Sequence, residues 1–168
     1  IYYTSPIELI KRVIDYDAHL NIIVKEVGQG MGPKSLQHLY ELPISAVDFA
    51  AAGGTNFAKL ELQRSAKDQQ DSYSGLALVG HTADEMVSFA NSIFDHSDNL
   101  LCKHTIISGG VKDHLDGYYL TQKLQGTSVY GQASAFLKNA LDGYDKLQKH
   151  VESQINGLQV AHKLLSVK

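Results

Sequence analysis

The chain has 168 residues, 43% of them hydrophobic, with 15 Lys and Arg against 18 Asp and Glu, the profile of one soluble globular unit rather than a disordered segment. A net charge of −3 at pH 7 and a longest basic cluster of only Lys11-Arg12 argue against a nucleic-acid partner, whose phosphates are neutralised by clustered Lys and Arg. No apolar run approaches the roughly 20 residues that span a bilayer, and no signal-peptide core opens the chain, so no membrane partner and a cytoplasmic location are expected.

In chain order, Ser5 and Pro6 open an amphipathic helix over 6–16, with Ile7, Ile10 and Ile14 at helical spacing. Residues 21–27 read as a buried strand. Gly28, Gly30 and Gly32 make a turn, after which Pro33 opens a helix whose inner face holds Leu36, Leu39 and Tyr40. A short strand over 46–50 follows. Thr82-Ala83-Asp84-Glu85 is a capping box, with Met86, Phe89, Ala90 and Ile93 as the apolar stripe behind it. Cys102, the single cysteine, has no disulfide partner in the chain and reads as structural beside an apolar run. Residues 105–108 form a strand ending in Gly109-Gly110, 113–125 a helix with Gly126 as its C-cap, and 128–130 another strand. From Ala133 onward Phe136, Ala140, Tyr144, Leu147, Val151, Ile155 and Leu158 keep helical spacing, and Gly143 and Gly157 are expected to kink or divide the run.

A helix followed by four strands, each with its own helix, predicts an α/β fold with parallel strands. The alternation alone fits half of an eight-stranded barrel and a doubly wound sheet equally. In both, ligands sit beyond the strand ends, where the glycine turns fall.

Three constellations at these strand ends can carry chemistry. In Val24-Lys25-Glu26-Val27-Gly28, alternation puts Ile23, Lys25 and Val27 on one side and Val24 and Glu26 on the other. Lys25 then either pairs with Glu26 at a wet strand end or meets an anionic ligand, since an unpaired buried charge is costly. In Ala50-Ala51-Ala52-Gly53-Gly54-Thr55 the glycines expose backbone N–H groups to a ring edge or a phosphate, unless this is an ordinary turn capped by Thr55. In Ser108-Gly109-Gly110-Val111-Lys112, followed by Gly131-Gln132-Ala133-Ser134, two neighbouring strand ends open helices with small residues, as in phosphate sites of β/α proteins. The eight histidines show no metal spacing and read as surface or incidental, and the pair Tyr118-Tyr119 reads as packing.

Taken in order, KEVGQGM at 25–31, VDFAAAGGTNFAKLE at 47–61 and IISGGVKDHLD at 106–116 resemble the strand-five, strand-six and strand-seven signatures of FMN-dependent (type 2) isopentenyl-diphosphate delta-isomerases. GTSVYGQAS at 126–134 resembles the family's final strand with less fidelity. The resemblance implies the C-terminal half, about four β/α units, of a TIM (β/α)8 barrel, as a single partial domain over 1–168 with a helical segment from about 133. It further implies interconversion of isopentenyl and dimethylallyl diphosphates in isoprenoid biosynthesis, with reduced FMN as acid–base catalyst, Mg²⁺, and NADPH to reduce the flavin. By position Lys25 would meet the flavin pyrimidine edge and Thr55 would hydrogen-bond nearby. Gly109, Gly110, Val111, Lys112, Ala133 and Ser134 would surround the FMN phosphate. The expected partners are an isoprenyl diphosphate and further copies of the chain.

Three departures stand out. Ala50-Ala51-Ala52 occupies the place where the family usually has Ser-Gly-Arg, Lys112 replaces an arginine and so loses bidentate phosphate geometry, and the stretch from Asp116 to Gly131 is about two residues longer than the family's. The family's substrate, metal and catalytic motifs are absent, which predicts no catalytic and no metal residue in this chain and an inactive fragment. Two other readings remain: a different FMN-dependent barrel oxidoreductase, and a non-catalytic flavin-barrel remnant or assembly subunit.

Overall fold

The computed structural model describes residues 4–167; residues 1–3 and 168 lie outside the described part. Helix α1 (Pro6–Tyr16) starts where Pro6 pre-sets the first turn, and the Ser5 N–H donates to the Glu8 carboxylate at 3.3 Å. Helix α2 (Pro33–Tyr40) begins in the same way and buries Leu36, Leu39 and Tyr40. Helix α5 (Ala83–His96) carries the expected capping box, with Thr82 accepting from the Glu85 N–H and Glu85 reaching back to the Thr82 N–H at 2.8 Å. Two short helices that the sequence pattern leaves unassigned, α3 (Phe57–Arg64) and α4 (Lys67–Tyr73), run into a 3-10 turn over Ser74–Leu78. They bury no residue fully, so no apolar stripe marks them.

Strands β1 (Ile23–Lys25), β2 (Ala46–Asp48), β3 (His104–Ser108) and β4 (Thr127–Gly131) form one sheet, all parallel, in the order β1-β2-β3-β4. The register pairs Lys25 with Asp48 and Ser108 with Gly131, which brings the strand ends level and sets their turns side by side. One face, carrying Val47, Thr105 and Ile107, packs against Leu36 and Leu39 of α2, Met86, Val87 and Ala90 of α5, and Leu120 of α6 (His114–Lys123). The opposite face bears Ile23 and Val129, both more than half exposed. Within the core the Tyr40 hydroxyl meets the Thr105 hydroxyl at 2.8 Å, and burial pushes the tyrosine far above its ordinary pKa. Cys102 is buried, and burial raises its thiol as well.

The half-barrel expectation is corrected here. The described residues form an open α/β sheet of four parallel strands in sequential order, in which β1 and β4 each have a neighbour on one side only. Alternating strands and helices dictate parallel pairing, but they say nothing of closure.

Two glycine readings also change. Helix α6 ends at Lys123 with Leu124 as its extended cap, so Gly126 is not the C-cap. A Cβ on Gly126 would stand 2.8 Å from the Lys103 carbonyl oxygen and from the Phe94 ring, which makes it a close-approach site. Gly143, at φ +119°, does divide α7 (Ser134–Leu141) from α8 (Tyr144–Leu164), whereas α8 runs unbroken through Gly157. The His114 ring lies against Gly157, where a Cβ would come within 2.6 Å of its Cε1, so this histidine is a packing element rather than incidental.

Candidate functional site

Beyond the C-terminal ends of the strands lies a cleft of about 1280 Å³. All eight residues singled out by the sequence, Lys25, Thr55, Gly109, Gly110, Val111, Lys112, Ala133 and Ser134, line it. They come from four successive strand-to-helix turns, assembled by the register of the sheet.

Lys25 does not pair with Glu26. Its ammonium stands 3.1 Å from Oδ2 of Asp48, which faces it across the β1–β2 ladder, and the two side chains are 59% and 10% exposed. Glu26 instead accepts the N–H groups of Gly28 (2.6 Å), Gln29 (2.7 Å) and Gly30 (3.0 Å), so its carboxylate fills the concave turn of backbone donors that follows β1. The Gln29 side-chain amide donates to the Leu76 and Val79 carbonyls, tying this turn to the segment before α5.

The turn after β2 is conformationally demanding. Ala50 is buried at φ +40°, a left-handed conformation that costs an L-residue about 1–2 kcal/mol. Its N–H is held by Oδ1 of Asp48 at 3.2 Å and by Oγ of Ser108 at 3.1 Å, and the Ser108 hydroxyl itself donates to the same Asp48 oxygen. Ala51 N–H donates to the Ser108 carbonyl at 2.8 Å. Asn56, not Thr55, caps α3 by accepting the Lys59 N–H at 2.9 Å, which leaves the Thr55 side chain free of that role on the cleft wall.

The turn after β3 approaches this one backbone to backbone. A Cβ on Gly109, at φ +87°, would fall 2.8 Å from the Ala51 carbonyl carbon and closer still to its oxygen and nitrogen. Only glycine lets the two turns meet, and it adds no side chain at the cleft.

The helices opening onto the cleft differ at their N-termini. Asn56 caps α3, Thr82 caps α5, and Asp113 caps α6 through the N–H groups of Leu115 (2.8 Å) and Asp116 (3.0 Å). Helix α7 has Ala133 at its cap position and no side-chain cap bond. Its first-turn N–H groups therefore remain available beside the Gly109–Lys112 turn, where the helix dipole favours an anion. Lys112 sits opposite; its N–H donates to Asp116 at 3.1 Å, and among the described residues its ammonium has no ion-pair partner. On the rim, Lys123 pairs with Asp84 at 2.7 Å, a bond that raises the lysine pKa, and stands over the Tyr119 ring at 5.5 Å. Tyr119 thus belongs to the cleft, while Tyr118 packs and donates its hydroxyl to the Leu165 carbonyl at 2.7 Å.

Sequence reasoning missed Asp48 and Ser108. The available signal was that β1 and β2 end in opposite charges on the same side of the pleat, but recognising a pair requires the register. Among the described residues no group of three or more His, Cys, Asp or Glu is arranged to hold a metal ion, and no helix is long and apolar enough to cross a membrane.

No family model matches the chain. Over 140 residues it is 31% identical to an isopentenyl-diphosphate delta-isomerase of Pseudescherichia vulneris, a match covering 83% of this chain and 38% of that protein. Isopentenyl-diphosphate delta-isomerases of Picrophilus torridus (28% over 163 residues, 94% of this chain and 43% of the relative) and Cronobacter sakazakii (32% over 154 residues, 90% and 42%) align similarly. The chain thus spans about two fifths of the length of these curated relatives. Their names give the isomerase alone, with no type and no flavin, and this corrects the narrower designation as the C-terminal half of a type 2 enzyme: what the chain resembles, over most of its length, is isopentenyl-diphosphate delta-isomerase.

Proposed function

We propose that the chain serves an enzyme interconverting isopentenyl and dimethylallyl diphosphates, and that its cleft holds FMN, kept reduced by NADPH. The isomerase reading follows the relatives' names. The FMN reading is carried by one observation: the uncapped start of α7 and the side-chain-free Gly109-Gly110 turn face the same cleft, with Lys112 beside them.

The residues fit such a ligand. Gly109, Gly110 and Val111 offer backbone donors, Ala133 and Ser134 open a helix whose dipole attracts a phosphate, and Lys112 adds a point charge. Lys25 supplies ammonium donors to the anionic edge of a reduced ring system, and the Thr55 hydroxyl supplies a further hydrogen bond. Bound in reduced form, FMN would supply acid–base chemistry at the allylic carbons without net redox change. For Mg²⁺, no group of three or more His, Cys, Asp or Glu is arranged as a site among the described residues.

The test of the cofactor reading is fluorescence titration with FMN and with riboflavin, which lacks the phosphate. FMN is expected to bind at least about tenfold more tightly, and Lys112→Ala to narrow that gap, since a charge-assisted phosphate contact contributes about 1.5–3 kcal/mol. Equal binding of the two flavins refutes the phosphate site. The isomerase reading is tested by following isopentenyl diphosphate by proton NMR with the full gene product and reduced FMN, where no conversion refutes it.

A further inference from the structure

We propose that Asp48 is the positioning residue of the cleft, fixing both the place of Lys25 and the charge it presents, and locking the two turns beside it. Asp48 is 7% exposed and lies at the end of β2, between β1 and β3. One carboxylate oxygen holds the Lys25 ammonium at 3.1 Å. The other accepts the Ala50 N–H at 3.2 Å and the Ser108 hydroxyl. A single buried group therefore joins the turns after β1, β2 and β3.

Each bond answers a separate physical demand. A nearly buried carboxylate needs a countercharge and donors for its lone pairs, and Lys25, Ala50 and Ser108 supply them. Ala50 keeps a left-handed backbone, at φ +40°, only because its surroundings over-determine it, and its N–H is held from two sides by Asp48 and Ser108. Lys25 is more than half exposed, so without Asp48 its long side chain has no reason to stay over the cleft floor. The pair presents ammonium donors with their charge largely offset. Resting on the reading that Lys25 faces the flavin's anionic edge, Asp48 then sets how strongly the floor favours a reduced over an oxidised ring.

Two measurements decide this. In FMN-loaded protein, Asp48→Asn keeps an acceptor of the same shape but leaves Lys25 without its countercharge, so the midpoint potential of the bound flavin moves positive. Lys25→Met, which leaves the Asp48 carboxylate without its countercharge, moves it negative instead. No shift in either variant, or shifts of the same sign in both, overturns the charge role; a general loss of packing would not reverse sign between the two. Without any ligand, amide exchange tests the anchoring. Asp48→Ala is expected to speed the Ala50 and Ala51 amides by about tenfold, the loss of one buried hydrogen bond, with D48N intermediate and the α5 amides unchanged. Unchanged Ala50 and Ala51 rates in D48A overturn the anchoring role. If the wild-type protein takes up no FMN, the flavin reading falls by itself, and the exchange rates still decide whether Asp48 positions the turns.

Discussion

Replacing Gly109 by alanine tests the claim that the turns after β2 and β3 meet backbone to backbone. Two costs add. Gly109 sits at φ +87°, where an L-residue loses about 1–2 kcal/mol. The new methyl would also lie 2.8 Å from the Ala51 carbonyl carbon, against the 3.4 Å at which ordinary contact begins, so the chain at Ala51 must retreat by more than half an ångström. Overpacking of this kind costs about 1–3 kcal/mol. The sum, about 2–5 kcal/mol, is a large part of the stability of an average domain. At roughly 2–4 °C per kcal/mol for a chain of this size it corresponds to a Tm lowered by about 4–20 °C. Thermal unfolding followed by circular dichroism, with Gly75→Ala as control, reads the effect. A Cβ on Gly75 has no heavy atom within 4 Å, and that variant should unfold within about 2 °C of wild type. A Gly109→Ala protein that unfolds as late as the control would refute the packing argument.

Other outcomes follow from the same geometry. Gly157→Ala should destabilise by about 1–2 kcal/mol through collision with the His114 ring, and the sign should reverse in a His114→Ala background, where only alanine's better helix propensity remains; urea titration of the four proteins measures it. Tyr40→Phe leaves the buried Thr105 hydroxyl without its partner and should cost about 1–2 kcal/mol, most of it recovered when Thr105→Val is added. Because burial raises the Tyr40 pKa, its contribution is present below the ordinary value of 10.0 and lost as pH rises through the folded value, so Y40F should flatten the alkaline limb of the stability profile. Thr82→Ala should cost about 1 kcal/mol as a lost helix cap. Glu85, held below its ordinary pKa of 4.5 by the Thr82 N–H and hydroxyl, stabilises fully above that value and less as pH falls through its folded pKa; Glu85→Gln should remove that acid dependence, read as Tm against pH.

Helix starts were legible in the sequence because caps are local. Ser5-Pro6, Gly32-Pro33 and the Thr82–Glu85 box need nothing beyond four consecutive residues, and the structure starts α1, α2 and α5 at these places. Glycines were legible only as glycines. Gly126 and Gly157 read as punctuation, yet their reasons lie far along the chain, in Lys103 and Phe94 for one and in His114 for the other. The candidate site divides in the same way. Its turns follow from glycines at strand ends, whereas the partner of Lys25 depends on register, and register is a property of two strands at once. Closure of the sheet lies further still beyond a local reading, since alternating strands and helices suit an open sheet and a closed one alike.

The two outer strands of the sheet bear on handling this chain in concentrated solution. β1 and β4 run in the same direction at opposite ends of a linear order, and among the described residues each has no strand on its outer side, with Ile23 and Val129 exposed. A β4 edge that captures the β1 edge of another molecule leaves a fresh β4 edge behind, so association by this route is head-to-tail and does not use itself up. Turbidity should therefore grow with time and concentration rather than level off at a fixed size, and a charge placed at Val129 should slow it.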